Sequence, residues 1–259
     1  MKKTMLFSLA ILIQGAFASM DWQNFTLTVP GTNPLEIAQN LKSELYTLQY
    51  DENRTVMDFL IANFSRETMV NELLKQNTKI NQQYLTDGSV EYYSKLPLPG
   101  KILAVLIPET KPQKLVVPML CPCCGQEWPK DKAVPAGVEL VPKEIESYEY
   151  TGIIIDCRNL GFTPSLFPKI LNELSEEIYT VNFADLRYVI DGGLVLYSTS
   201  DLFNNSRIGY NPLRIQALGI TGAKMTDIKI SSFDARRIHG SMRNLTLLKE
   251  CRVAIIFGP

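Results

Sequence analysis

Three of the five cysteines in this chain of 259 residues stand together in the run Cys121-Pro122-Cys123-Cys124-Gly125. The pattern CPxCG makes a tight knuckle: two thiolates two residues apart face one metal ion, and the glycine permits the turn. Cys121 and Cys124 are therefore the candidate metal ligands, with Cys123 as an alternate, and zinc is the ion such thiolates take. One knuckle is half of a tetrahedral site. The other half would have to come from Cys123, the single histidine His239, Cys157 or Cys251, or a second subunit. In an oxidising compartment the same thiols become disulfides unless metal or burial protects them, so a structural disulfide or buried thiols stay open beside metal. A thiol-disulfide oxidoreductase is a third reading. It has the run Leu115 to Leu120 as a strand leading into the pair, but it also needs a helix N-terminus beneath the first cysteine, and Gly125 to Pro129 does not read as one. Cys157 and Cys251 each sit on an expected strand, as core residues or as a disulfide pair if those strands bring their Cα atoms within about 7 Å.

Other chemistry-bearing residues are sparse. His239 lies on an expected helix beside Arg236 and Arg237 and reads as a surface residue. Asp156-Cys157-Arg158 ends a strand as a salt-bridged pair. Glu173, Glu176 and Glu177 read as a solvated acidic face, because no further ligands follow in calcium-loop spacing. Tyr84, Tyr92 and Tyr93 suit either an interface or packing on a sheet face. Phosphate-loop, zinc-protease and serine-hydrolase motifs are missing, so the sequence names no catalytic residue and no resident cofactor.

The N-terminus indicates where such a chain works. Lys2 and Lys3, the apolar run Met5 to Ile13 and Ala16-Phe17-Ala18 have the layout of a secretory signal over residues 1–18. The apolar run is half the length of a bilayer-spanning helix, no lipid-accepting cysteine follows it, and no later run is long enough to span, that from Lys101 to Pro108 being strand-sized. The expectation is a periplasmic protein, peripheral to the outer membrane, without a transmembrane segment after cleavage. Loss of the two signal lysines takes the formal charge from -1 to -3. That near-balance gives no electrostatic footprint for nucleic acid.

The elements that position the cysteines divide around a composition shift. Seven of the fifteen prolines fall between Pro108 and Pro142, which forbids a continuous helix or central strand there. Residues 108–149 read as an ordered connector carrying the knuckle. Residues 19–107 and 150–259 read as two domains. In the first, Asn33-Pro34 starts a helix whose stripe is Ala38, Leu41, Leu45 and Leu48, Thr55 to Ala62 is ambiguous, and Arg66 to Gln76 has helical spacing. Asp87-Gly88 between tyrosine-rich runs marks a β-hairpin over Lys79 to Leu96. In the second, strands are expected at Gly152–Cys157, Leu194–Ser198, Leu213–Ile220, Thr226–Ile230 and Cys251–Phe257. Pro168 to Tyr179 is a hairpin or short helix, and Ser231 with Asp234 caps a helix running to about Met242. The fold class is α+β, with helices packed on small antiparallel sheets.

The phrases NPLEIAQNLKSELYTLQY, DENRTVMDFLIANFSRETMVNEL and YLTDGSVEYYSKLPLPG, in that order over residues 33–100, resemble the small outer-membrane lipoprotein family of Gram-negative bacteria that includes the flagellar assembly lipoprotein FlgP, with FlgT more distant. The C-terminal phrases YTGIIIDCRNLGFTPSLFPKIL and NLTLLKECRVAIIF are similar to a companion domain of uncharacterised exported proteins. The first resemblance implies a compact α+β domain and a role in building envelope rings or disks. The sequence thus leads to an exported, non-enzymatic envelope assembly or scaffold protein with protein partners, homo-oligomeric, with a flagellar association. A periplasmic binding module built on the cysteines is the alternative.

Overall fold

A computed structural model describes residues 18–77, 79–84, 86, 88–112, 119–129, 132–143, 150–202 and 205–258. Residues 1–17 of the expected signal, Asp87 of the hairpin turn and positions 115–118 of the strand expected before the knuckle lie outside them. Among the described residues no helix is long and apolar enough to cross a membrane.

The N-terminal part runs β1 (Ser19–Asp21), β2 (Thr26–Gly31), α1 (Pro34–Thr47), α2 (Val56–Ile61), α3 (Phe64–Asn77), β3 (Ile80–Tyr84), β4 (Val90–Pro97) and α4 (Lys101–Leu106). Its strands form an antiparallel sheet in the order β1-β2-β4-β3. Asn33 starts α1 as expected, its side-chain oxygen accepting from the N–H groups of Leu35 at 3.1 Å and Glu36 at 3.0 Å. The buried stripe of α1 is Ile37, Leu41 and Leu45, with Leu48 just beyond. It packs on β2. The ambiguous segment is helical because Thr55 and Asp58 close a capping box at its start. The run after Gly100 also departs from expectation. Ile102, Leu103, Val105 and Leu106 are buried while Lys101 and Ala104 face outward, a helical period that Pro108 then stops.

The connector contributes β5 (Met119–Leu120) and β6 (Val141–Pro142), paired antiparallel. The C-terminal part follows with β7 (Ile153–Asp156), β8 (Ile170–Leu171), β9 (Glu177–Tyr179), α5 (Leu186–Gly192), β10 (Leu196–Ser198), β11 (Leu213–Gln216), β12 (Gly219–Thr221), β13 (Asp227–Lys229), α6 (Ser232–His239), α7 (Met242–Lys249) and β14 (Val253–Ile256). The α+β class stands, but strand direction differs from expectation. The sheet β10-β14-β7-β11 is parallel throughout, and the sheet β12-β13-β8-β9 is mixed, with β8 and β13 parallel. The reason is burial on both faces, which favours parallel pairing. Ile153, Ile155, Val253 and Ile255 point into the main core, while Ile154, Ala254 and Ile256 pack with Ile208 on the opposite face.

One contiguous cluster of buried side chains runs through both parts. Two joints secure it. At the first, the carbonyls of Gln49 and Tyr50 accept from the N–H groups of Leu166 and Phe167, each at 3.0 Å. The Tyr50 ring there lies 4.3 Å from Phe59 and 5.0 Å from Phe167. At the second, Phe25 stacks on Tyr197 at 5.9 Å and Trp22 meets Tyr197 edge-on at 5.5 Å. Aromatic pairs of this kind add about 0.5–1.5 kcal/mol each beyond the area they bury.

Candidate functional site

The knuckle is a closed turn. Cys121 donates its N–H to the Gln126 carbonyl and its carbonyl accepts from Gly125 N–H, both at 2.8 Å, while Trp128 N–H reaches Met119 O at 2.6 Å. Gly125 sits at φ +70°, where a side chain is disfavoured. The loop therefore returns on itself, with β6 flanking the other edge of β5. Cys121 is half-buried, and Cys123 and Cys124 are exposed. The backbone amide of Cys124, and then that of Cys123, holds the Cys121 thiol below its ordinary range. No described residue of 119–143 is buried, so the unit stands off the core.

The two remaining cysteines do not pair. Cys157 follows β7 and Cys251 precedes β14, and the register aligns Ile153 with Val253 and Asp156 with Ile256. Six residues of offset along parallel strands is about 20 Å, well beyond disulfide reach. Both are free and buried. Burial pushes the Cys157 thiol up to about 12, and burial likewise raises that of Cys251. Neither is a reactive thiol or a ligand for the knuckle, and of the two readings of this pair the core residues stand and the candidate disulfide is corrected.

His239 also departs from its expected surface role. It is half-buried on α6, its Nε2 donates to the Ile178 carbonyl at 2.8 Å, and its ring lies 6.3 Å from Phe183. Burial holds its pKa below the usual imidazole value. Asp156 and Arg158 form the ion pair read from the sequence, with Asp201 3.5 Å from the guanidinium. The acidic trio is divided among local jobs. Glu173 accepts from Ser232 N–H at 2.8 Å at the start of α6, and Glu176 accepts from Asn172 Nδ2 at 2.5 Å. Of the tyrosines, Tyr84 is exposed, while Tyr92 packs partly on the core. Among the described residues, no group of three or more His, Cys, Asp or Glu side chains is placed to hold a metal.

A second polar site went unread in the sequence. A cleft of about 440 Å³ opens between the two parts, walled by the Asp51-to-Arg54 turn on one side and Lys169, Glu177 and Asn182 on the other. Lys169 Nζ lies 3.2 Å from Glu52 and 3.7 Å from Glu177. Beneath it, buried Asp227 accepts at Oδ1 from Lys169 N–H at 3.1 Å and from Thr226 Oγ1 at 3.3 Å, while Oδ2 has no partner among the described residues. Burial, tempered by the Lys169 N–H, pushes Asp227 up to about 6. The charges of this cleft largely answer one another, so it works as a joint between the two parts. Its residues come from three distant segments and carry no spacing signal. The Asp-Glu-Asn-Arg turn was the single hint.

Residues 152–259 match the family model described as the second domain of Treponema pallidum Tp0624. The C-terminal part is thus similar to a domain that another protein carries. No curated protein matches the chain.

Proposed function

We propose that this protein is an exported, non-enzymatic component of the bacterial envelope that works by assembling with protein partners, copies of itself foremost. The carrying observation is the apolar surface of the helices α2 and α3. Met57, Ile61, Phe64 and Met69 face solvent there, Phe64 with 77% of its surface exposed. Beside them lies a groove of about 490 Å³ lined largely by Met69, Leu73, Ala104 and Val105. Apolar surface concentrated in one place on a folded protein marks an interaction site more often than it marks chance.

Three further points support the reading. Residues 1–18 have the layout of a secretory signal, residues 33–100 resemble the FlgP family with its ring-building role, and β3 ends its sheet as an exposed edge strand able to accept another strand. A flagellar association and a position peripheral to the outer membrane follow from the same resemblance. The test is the solution mass of the chain from residue 19 onward, measured by light scattering across concentration, alongside Ile61→Asp and Phe64→Asp. Self-association that both substitutions weaken is the expected result. A monomer at every concentration, unchanged by either, would defeat the proposal.

A further inference from the structure

We propose that Cys121 and Cys124 of one chain, together with the same two residues of a second copy, bind a single zinc ion in a tetrahedral four-thiolate site.

The first argument is shape. The Cys121 to Gly125 turn is closed by two backbone hydrogen bonds of 2.8 Å and holds Gly125 at positive φ. It keeps the Cys124 thiol close to that of Cys121, with Cys123 near as well, and C-x-x-C is the ligand spacing of structural zinc sites. Pro122 and Cys123 are the two intervening residues of that pattern.

The second argument is what the unit lacks. Residues 119–143 include two strands of two residues each, and none of the described residues in this span is buried. A piece this small with no core is held in shape only by a staple, and metal binding is folding energy for such units. Lys143 paired with Glu127 at 2.5 Å is a surface ion pair worth less than a staple.

The third argument concerns the missing ligands. Among the described residues no third His, Cys, Asp or Glu joins the pair. Cys157 and Cys251 are buried, and His239 is committed to the Ile178 carbonyl. A two-fold axis through the metal supplies the identical pair from a second chain and completes the coordination, the usual symmetry of a homodimer. On binding, each chain gives up two thiol protons, so four leave as one dication is taken up, with no change of oxidation state.

The inference deepens the assembly reading but does not depend on the α2–α3 surface. The experiment therefore uses the Phe64→Asp background, purified under reducing conditions and titrated with zinc, while metal content and solution mass are read together. Cobalt(II) serves as the spectroscopic probe. The expected result is 0.5 metal per chain with a doubled mass, the visible absorption of tetrahedral cobalt thiolate, and return to the starting mass with chelator. Cys121→Ser and Cys124→Ser should abolish all of these, and Cys123→Ser should keep them. Far-UV circular dichroism and thermal unfolding of each variant, unchanged because the knuckle stands off the core, exclude a folding defect. One metal per chain without a mass change, no metal at all, equal loss with Cys123→Ser, or a Cys121–Cys124 disulfide that persists when zinc is offered under reductant would each overturn the proposal. Zinc-dependent pairing without any α2–α3 effect would instead leave this inference standing and remove the other.

Discussion

Lys169 meets Asp227 with its backbone while its ammonium group reaches away toward Glu52: the N–H donates to Asp227 Oδ1 at 3.1 Å, and Nζ lies 3.2 Å from Glu52 Oε1. The carboxyl is thus buried without a direct counter-charge, and its pKa is pushed up to about 6. Because this exceeds the unfolded value of about 3.9, the folded state holds the proton more tightly. The resulting stabilisation is complete below about pH 4 and is lost as pH rises through about 6. Denaturant unfolding of the wild type and Asp227→Asn at pH 4.5 and pH 7.5 checks it. The wild type should lose on the order of 2 kcal/mol relative to the variant across that interval. A pH-independent difference would refute the assignment.

His239 provides a dependence of opposite sign. Burial lowers its pKa, so the folded state binds the proton less tightly than the unfolded state. Its contribution is complete above the unfolded value of about 6.5 and is lost as pH falls through the depressed folded value. Comparison with His239→Gln across the same pH series should show the wild-type advantage shrinking toward acid, where the Asp227 comparison shows it growing.

Gly193 is held at φ +79°, and a Cβ there would stand 2.8 Å from the edge of the Phe25 ring. Gly193→Ala should therefore destabilise by about 2 kcal/mol or more, combining backbone strain with overpacking. Trimming the ring should relieve part of the clash, so Phe25→Leu with Gly193→Ala should cost less than the sum of the two single changes. Strict additivity in thermal or denaturant unfolding would contradict the contact.

Arg207 ties four backbone carbonyls with one guanidinium: Nε to Cys251 O at 2.7 Å, Nη1 to Gly192 O at 2.6 Å, and Nη2 to Gly193 O at 2.7 Å and Leu194 O at 3.3 Å. Lysine has no planar fork and leaves carbonyls unsatisfied. Arg207→Lys should cost about 2–4 kcal/mol in denaturant unfolding. Arg187→Lys, at an exposed ion pair with Asp185, serves as the control and should match the wild type.

Local chemistry was the legible part of this sequence. Asn33 before Pro34, Ser231 before Asp234 and Gly88 at positive φ each act within a few residues, and each did as its type requires. The knuckle's turn was readable for the same reason. What escaped was set by tertiary contact. α4 was read as a strand because a short apolar run has no decisive period, and its helical form follows from burying Ile102 and Leu103 together with Val105 and Leu106. α7 was missed because its buried leucines, Leu245, Leu247 and Leu248, follow no single clear period and are buried only by tertiary packing. Strand direction and the Cys157 to Cys251 offset depend on which strands neighbour which, a matter no local pattern encodes. The cleft above Asp227 was hidden because Lys169 meets Asp227 only when β8 and β13 pair, and meets Glu52 only when the two parts dock.

The strand order β10-β14-β7-β11 has a kinetic consequence. β14 lies between β10 and β7, so the central pairing of that sheet joins residues roughly a hundred positions apart, and such pairings form slowly. While the chain is being made, β7 has no partner at its middle edge until residues 253–256 emerge. The C-terminal part therefore stays open along that edge until β14 is available, and its sheet closes last.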